Sequence, residues 1–334
     1  MKFLVRTPNW IGDAVLARPA LESLRRNYPK SEIWLLAKDW VKELFEKNGL
    51  SNGVLPLGDV RSPRAFARLA RQLKERRFDV GLLLTNSFAS AMLLALARIP
   101  ERWGYRRDGR GPFLTRSVPV PELEPPKHQV HYYLDLLKGL GLSVAAPALR
   151  MSLPEKETRA ARQSLQALGL NLKRPVVILN PGAAYGPAKQ WPAERFAALG
   201  ALLQQKKKAE ILITGSSGEE GLAAGIASRL PRRPTVLAGR TSLRQLLGLI
   251  GQAQLFVTND TGPMHLANVL SVPVVALFGP TDPVVTGPYH PPAVVLKKEA
   301  ACWPCLYRKC PYDHRCLADI GTEEVLEAAL RFLP

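Results

Sequence analysis

The stretch that most constrains the fold is Gln254–Pro280, which has the pattern strand, tight turn, helix, strand. An apolar run at 255–257 leads into the turn N-D-T-G at 259–262, and a helical run follows. The chain then returns to a second apolar run at 272–278. Strand–helix–strand units build parallel sheets. The stretch therefore predicts a parallel α/β sheet with a ligand at the carboxyl ends of its strands, where helices begin.

The residues of this turn suit an anion at the start of the helix. Asp260 can cap the helix by accepting its early N–H bonds. Thr261 and Gly262 fall in the first turn, where the helix dipole favours negative charge and a glycine allows close approach. His265 lies on the same helix face as Thr261, where it can donate to diphosphate oxygens. An ordinary capped helix with a packed histidine is the alternative.

The same alternation of strands and helices extends along the chain. Runs at 2–6, 32–37 and 79–84 are strand-like, and helical segments lie between them. A second series begins near 175. The length of 334 residues is enough for two cores. We therefore expect an α/β fold of two Rossmann-like domains, with boundaries at 1–160 and 161–334.

Two loops of the second series also place polar side chains at strand ends. The Gly-rich loop 180–192 contains a single lysine, Lys189, which can offer a point charge to a diphosphate or be an ordinary surface lysine. It is not a P-loop, because G-x-x-x-x-G-K-[ST] is absent. After the strand-like run at 210–214, Gly215 allows close approach. Glu219 can bind ribose hydroxyls, as acids do in nucleotide-binding folds.

The chain is strongly basic, with 46 Lys and Arg against 28 Asp and Glu and a net charge of +18. Such a charge favours anionic partners without choosing among nucleic acid, an acidic membrane face and phosphorylated substrates. The predicted helix 61–77 holds seven basic residues and one acidic residue. It is either a solvated basic face or a contact for anionic headgroups. No zinc-finger helix, RNP motif or recognition helix is visible, so no nucleic-acid partner is expected.

A second basic zone runs from Arg98 to Arg116. Its glycines predict a loop. Arginines in a loop of this kind suit a phosphorylated, anionic acceptor, and a merely soluble loop is the alternative. The candidates are Arg106, Arg107 and Arg110.

No signal peptide and no apolar run of roughly 18 residues is visible, so a cytoplasmic protein with at most a peripheral membrane contact is expected. All four cysteines lie close together, in the pattern C-x2-C-x4-C-x5-C. In a cytosolic chain this spacing suggests a structural thiolate metal site more than disulfides. The candidate ligands are Cys302, Cys305, Cys310 and Cys316.

Three of these strings together resemble the family of lipopolysaccharide core ADP-heptose heptosyltransferases, most closely heptosyltransferase II. The family's D-[TS]-G-x-x-H segment matches Asp260 to His265, and its N-P-G-A-x-x-G-P-A-K-x-W-P string matches 180–192. The segment Pro8 to Asp13 is similar to its opening motif. The resemblance covers most of the chain. It implies the GT-B glycosyltransferase fold, in which two Rossmann-like domains face each other across a cleft.

The resemblance also implies an inverting transfer of heptose from ADP-heptose to the heptosyl/Kdo inner core of lipopolysaccharide. It implies that Asp13 is the general base, whereas the residue alone suggests a first-turn acid on a helix dipole. It places the phosphorylated or acidic acceptor near Asp13 and the arginines. The enzyme would be peripheral on the inner face of the inner membrane. The residues that it assigns to the donor are Lys189, Gly215, Glu219, Asp260, Thr261, Gly262 and His265.

No cofactor is expected for catalysis, because Lys189 and the helix N-terminus can stabilise the leaving ADP and no D-x-D motif is present. Two other classes of protein remain open. A two-domain sugar-nucleotide epimerase shares this architecture and needs no acceptor. A basic nucleic-acid-binding protein would bind RNA or DNA with a steep dependence on salt.

Overall fold

The computed structural model describes residues 1–46, 49–121, 125–146 and 148–334. The chain divides into two compact units, Met1–Leu149 and Arg150–Pro334. Each unit is an α/β domain built on one parallel sheet.

In the described part of the first unit, the sheet has six parallel strands in the order β3-β2-β1-β4-β5-β6. The strands are β1 Lys2–Arg6, β2 Glu32–Ala37, β3 Gly53–Pro56, β4 Val80–Leu83, β5 Glu101–Arg106 and β6 Arg116–Pro119. The helices are α1 Ile11–Leu16, α2 Arg18–Asn27, α3 Asp39–Phe45, α4 Pro63–Glu75, α5 Phe88–Leu96 and α6 Gln129–Gly139.

The sheet of the second unit, all of it described, has six parallel strands in the order β12-β11-β10-β7-β8-β9. The strands are β7 Val176–Asn180, β8 Glu210–Ile213, β9 Thr235–Val236, β10 Leu255–Asn259, β11 Val274–Phe278 and β12 Ala293–Lys297. The helices are α7 Glu155–Ala167, α8 Ala193–Lys207, α9 Glu220–Ala227, α10 Leu243–Ile250, α11 Gly262–Val269, α12 Pro283–Thr286, α13 Arg315–Ala318 and α14 Thr322–Leu330.

The boundary between the units lies earlier than the division at 160/161 expected from the sequence. That division falls inside α7, and α7 packs against α10 of the second unit. An ion pair joins the two helices, since Arg244 Nε lies 2.7 Å from Glu157 Oε2. The whole of α7 therefore belongs to the second unit.

The central strands are apolar runs, as is typical of parallel sheets that are buried on both faces. Every residue of β4, β7, β10 and β11 is buried. This confirms the strand–helix–strand reading of the Gln254–Pro280 stretch. The C-terminal helix α14 packs against α8.

Both sheets have the same strand order when each is numbered from its own first strand. In this doubly wound order, strands are added first on one side of the first strand and then on its other side. Ligands bind in the crevice at the point where this order reverses. The reversal lies between β1 and β4 in the first unit and between β7 and β10 in the second. Asp13 follows β1, Lys189 follows β7 and Asp260 follows β10. The two sheets therefore place these candidate residues beside their reversal points.

The two basic segments have different outcomes. The basic residues of 61–77 are all exposed, and α4 buries Leu69 and Leu73. The prediction that 98–116 is a loop is wrong for 101–106, which form β5, whereas 107–115 lie between β5 and β6. Gly104 lies inside β5, where an added Cβ would be 3.2 Å from the Cβ of Leu83. A glycine in a strand here marks close packing rather than a loop.

Candidate active site

The centre of the site in the second unit is a buried ion pair between Lys189 and Asp260. The Lys189 ammonium donates a hydrogen bond to Asp260 Oδ2, and the two side chains are 10% and 5% exposed. Thr281, which follows β11, donates to the same oxygen at 2.5 Å. Three loops that follow neighbouring strands thus meet at one carboxylate. A buried carboxylate needs such partners, because an unpaired charge is costly to bury.

The helix cap differs from the expectation. Thr261 is the N-cap residue of α11 and makes no side-chain cap bond, whereas Asp260 was expected to cap this helix. The Asp260 carboxylate turns to Lys189 and Thr281 instead, since a bond to a cation is stronger than a bond to a neutral N–H. Gly262 opens the helix, so its first turn has the arrangement that suits an anion. His265 is buried on α11.

Asn259 holds both ends of the Lys189 loop. Its side-chain amide donates to the carbonyl of Pro181 at 2.7 Å, and its side-chain oxygen accepts from the backbone N–H of Trp191 at 3.0 Å. A polar pair lies behind it, where Asn180 donates to the Thr258 hydroxyl at 3.1 Å. Sequence reasoning missed Asn259 and Asn180. The signal was an asparagine at the end of each of two apolar strands.

Gly215 and Glu219 lie after β8, at the same edge of the sheet. The Glu219 carboxylate accepts from the backbone N–H and the hydroxyl of Ser216, at 2.7 and 2.8 Å. An added Cβ on Gly182 would be 2.0 Å from Glu219 Oε1, so this carboxylate lies directly against the Lys189 loop. An added Cβ on Gly215 would be 3.0 Å from Glu219 Oε2. The structure therefore brings Glu219 to the loop of Lys189.

The segment 300–316, which we call the cysteine segment, forms hydrogen bonds to two loops of this site. The Ala188 N–H donates to the Arg308 carbonyl at 3.1 Å, and a ring nitrogen of His314 lies 2.8 Å from the Ala188 carbonyl. At the loop that follows β11, the Leu306 N–H donates to the Pro280 carbonyl at 3.0 Å. The segment thus joins the loop of Lys189 to the loop that follows β11.

The four cysteines all line one cavity of about 730 Å3 in this segment. Their thiols form no disulfide. Burial raises the pKa of Cys316 to about 11. Among the described residues, no group of three or more His, Cys, Asp and Glu side chains is arranged to hold a metal ion. The spacing thus brings the thiols to one cavity without a formed ligand set, and a metal there stays a prediction.

Asp13 lies in the first turn of α1, as the sequence suggests. It is close to Tyr133, a fully buried residue of α6. Burial raises the pKa of Tyr133 well above its ordinary value, and the charge of Asp13 raises it further. Sequence reasoning missed this tyrosine, because nothing in the chain links it to the loop after β1.

The arginines predicted for the acceptor separate into two groups. Arg106 and Arg107 are exposed, and a hydrogen bond with the Tyr132 hydroxyl raises the pKa of Arg107. Arg107 and Asp13 thus each interact with a tyrosine of α6, Tyr132 and Tyr133 respectively. Arg110 does not share this position. It is fully buried, which lowers its pKa.

Arg110 supports the loops of the first unit instead of facing solvent. Its guanidinium donates to the Tyr105 carbonyl at 2.8 Å and to the Thr85 carbonyl. Carbonyl oxygens make burial of the cation tolerable, because its donors are satisfied. Arg6 has a similar place below the loop that precedes Asp13, where burial lowers its pKa to about 10 and it donates to Asn9. Sequence reasoning missed Arg6.

Comparison with known proteins identifies the family. The profile of glycosyltransferase family 9 (heptosyltransferase) matches residues 66–315. The chain is 31% identical to lipopolysaccharide heptosyltransferase 2 of Salmonella typhimurium, over 98% of this chain and 97% of that protein. It is 32% identical to lipooligosaccharide heptosyltransferase 2 of Haemophilus ducreyi, over 89% of this chain and 88% of that protein.

A solved structure agrees with this family. The E. coli ADP-heptose lipopolysaccharide heptosyltransferase II superposes with a TM-score of 0.84 at 28% identity, covering 99% of this chain and 98% of that chain. The likeness and the two Rossmann-like sheets confirm the predicted GT-B fold class. The chain belongs to glycosyltransferase family 9, the heptosyltransferases, and is a glycosyltransferase.

Proposed function

We propose that this enzyme transfers heptose from ADP-heptose to the heptosyl/Kdo inner core of lipopolysaccharide, with inversion. The observation that carries the proposal is the buried Lys189–Asp260 pair beside the first turn of α11, where free backbone N–H groups favour a phosphate anion. The relatives supply the substrates, since they are lipopolysaccharide and lipooligosaccharide heptosyltransferases and the E. coli structure is of an ADP-heptose enzyme.

The proposed chemistry is a single displacement. An acceptor hydroxyl oxygen attacks the anomeric carbon of heptose while the bond from that carbon to the phosphate oxygen breaks. Asp13 takes the proton of the hydroxyl as general base, and ADP leaves with the electron pair of the broken bond. One displacement from the opposite face inverts the anomeric configuration. Tyr133, buried beside Asp13, would hold the carboxylate in position.

Lys189 would stabilise the charge that grows on the leaving diphosphate. Asp260, which also accepts from the Thr281 hydroxyl, would fix the ammonium group of Lys189 in place, so the site would need little rearrangement during the reaction. The first turn of α11, at Thr261 and Gly262, would add backbone N–H donors, and His265 would serve the donor from the same helix. Glu219, with Gly215 leaving room beside it, would bind ribose hydroxyls.

On the acceptor side, Arg106 and Arg107 would bind phosphate or carboxylate groups of the inner core. Both are exposed, and guanidinium groups match the geometry of such anions. Arg110 would act only through the loops that it supports. The enzyme would work in the cytoplasm at the inner face of the inner membrane, where its acceptor is anchored.

The test is a panel of donors and acceptors. With ADP-heptose and a truncated core acceptor, we expect ADP release that depends on the acceptor, and little release with UDP- or GDP-sugars. Conversion of a donor sugar without any acceptor would instead indicate an epimerase. Tight binding of RNA or DNA without transfer would indicate a nucleic-acid-binding protein. The family assignment favours transfer over both alternatives.

A prediction for the membrane concerns the basic face of α4. Within the described residues, no helix is both long and apolar enough to cross a membrane. The exposed arginines of 61–77 should bind anionic vesicles, and the binding should weaken as salt rises, because salt screens exposed charges over about 8–10 Å. Sedimentation with anionic and neutral vesicles measures this. Equal binding to both kinds of vesicle would contradict the prediction.

A second prediction concerns the cysteine segment. We propose that its four thiols hold a structural metal, since they share one cavity and follow a C-x2-C spacing. Purified protein should then contain about one zinc ion or one iron–sulfur cluster per chain. Metal analysis should show a lower content in Cys305→Ser. Metal-free protein with four titratable thiols would show that the spacing misled us.

A further inference from the structure

The charge of Lys189 alone does not supply a net positive potential for a diphosphate. Its ammonium is already paired with the Asp260 carboxylate, so the two charges largely cancel. The Thr281 hydroxyl adds a dipole but no charge. A diphosphate gains further negative charge when its bond to the sugar breaks. A site of this kind calls for a second cation close to the first.

Arg308 of the cysteine segment is a cation in the right place. Its guanidinium carbon lies 5.2 Å from the centroid of the Tyr185 ring, and Lys189 Nζ lies 4.8 Å from the same centroid. The two cations are therefore no farther apart than these two distances together. Both lie within the range at which a cation interacts with an aromatic ring. The Tyr185 ring thus gathers two positive groups at the Lys189 loop.

The backbone fixes Arg308 against this loop and leaves its side chain exposed. The Arg308 carbonyl accepts from the Ala188 N–H at 3.1 Å. It also lies over Gly186, whose φ is 151° and where an added Cβ would be 2.3 Å from the Arg308 oxygen. Only a glycine allows this approach. Within the described part of the chain, no carboxylate forms an ion pair with Arg308, so its charge stays available to an anion.

We propose that Arg308 is a second cation for the donor diphosphate, held by Tyr185 beside Lys189. This inference rests on the proposed function, because it names a further residue of the same donor site. Arg308 contributes the net positive charge that the Lys189–Asp260 pair does not, and its planar fork can bind two phosphate oxygens at once. The cysteine segment would then bind the donor diphosphate as well as join the two loops of the site.

Calorimetry with ADP and with adenosine tests the proposal. Arg308→Gln should weaken ADP binding about tenfold, near the lower end for hydrogen bonds to charged groups. Adenosine binding should stay as in the parent, because adenosine has no phosphate. Arg308→Lys should recover part of the ADP affinity. Lys309→Gln is the matched control, since it removes an exposed charge from the next residue and leaves the Tyr185 contact intact.

The outcomes separate this inference from the proposed function. If Arg308→Gln binds ADP as the parent does, the inference is wrong and the proposed function stands. If ADP and adenosine affinities fall together, Arg308 has only a structural role, which also overturns the inference. If the parent does not bind ADP at all, the proposed function fails and the inference fails with it.

Discussion

Replacing Asp13 with asparagine should lower the turnover of heptose transfer by about 10²–10⁴-fold, the usual contribution of a general base. Asparagine keeps the shape of the side chain but cannot take the proton of the acceptor hydroxyl. The affinity for ADP should change little, because Asp13 belongs to the first unit and the residues that we propose for the donor belong to the second. Steady-state turnover and ADP calorimetry on the same variant measure the two effects.

A matched control separates a catalytic base from a helix acid. Asp39 is also an acidic residue in the first turn of a helix, α3, and it is exposed. Such an acid contributes typically 0.3–1 kcal/mol through the helix dipole. Asp39→Asn should therefore leave turnover near the parent's value. Near-normal turnover in Asp13→Asn, or an equal loss in both variants, would show that Asp13 is not the base.

Replacing Lys189 with alanine should weaken ADP binding and also slow transfer. In the proposed mechanism the ammonium would contact the phosphate in the ground state, and its effect would grow as the bond to heptose breaks. Loss of one such group typically lowers turnover about 10²–10³-fold. Calorimetry measures the ADP affinity, and a transfer assay at saturating donor measures the turnover.

The ion pair complicates this variant. Lys189→Ala leaves the Asp260 carboxylate buried without its cation, which costs about 3–5 kcal/mol when a buried pair is broken. The double variant Lys189→Ala/Asp260→Asn removes the stranded charge, so thermal stability should largely recover. ADP affinity should remain low. Recovery of ADP affinity in the double variant would mean that Lys189 only neutralises Asp260.

Much of the fold could be predicted because the strands of a covered parallel sheet are apolar runs. The strands β1, β7 and β10 are such runs, and each is followed by polar or glycine residues. The strand β5 escaped detection, since Glu101–Arg106 mixes charged ends with a central glycine. Neither a long apolar run nor an alternation of apolar and polar residues marks this segment as a strand. The order of the strands was also out of reach, because it depends on contacts between distant segments.

The site was harder to predict than the fold. The family motifs point to Lys189 and Asp260, but the bond between them joins residues 71 positions apart. The residues next to Asp260 predict a helix cap, because nothing in that stretch indicates that a cation from another loop binds its carboxylate. Arg110 misled us for a similar reason. A loop arginine is normally exposed, yet Arg110 is buried and donates hydrogen bonds to the carbonyls of Tyr105 and Thr85.

The most direct test is the mass of a truncated core acceptor after incubation with ADP-heptose and the purified enzyme. Our account predicts a product heavier by one heptose with the parent, and one ADP released for each product formed. Over the same time, Asp13→Asn should leave nearly all of the acceptor unchanged. An acceptor whose mass does not change with the parent enzyme, while the donor is consumed or rearranged, would contradict heptosyl transfer as the function of this protein.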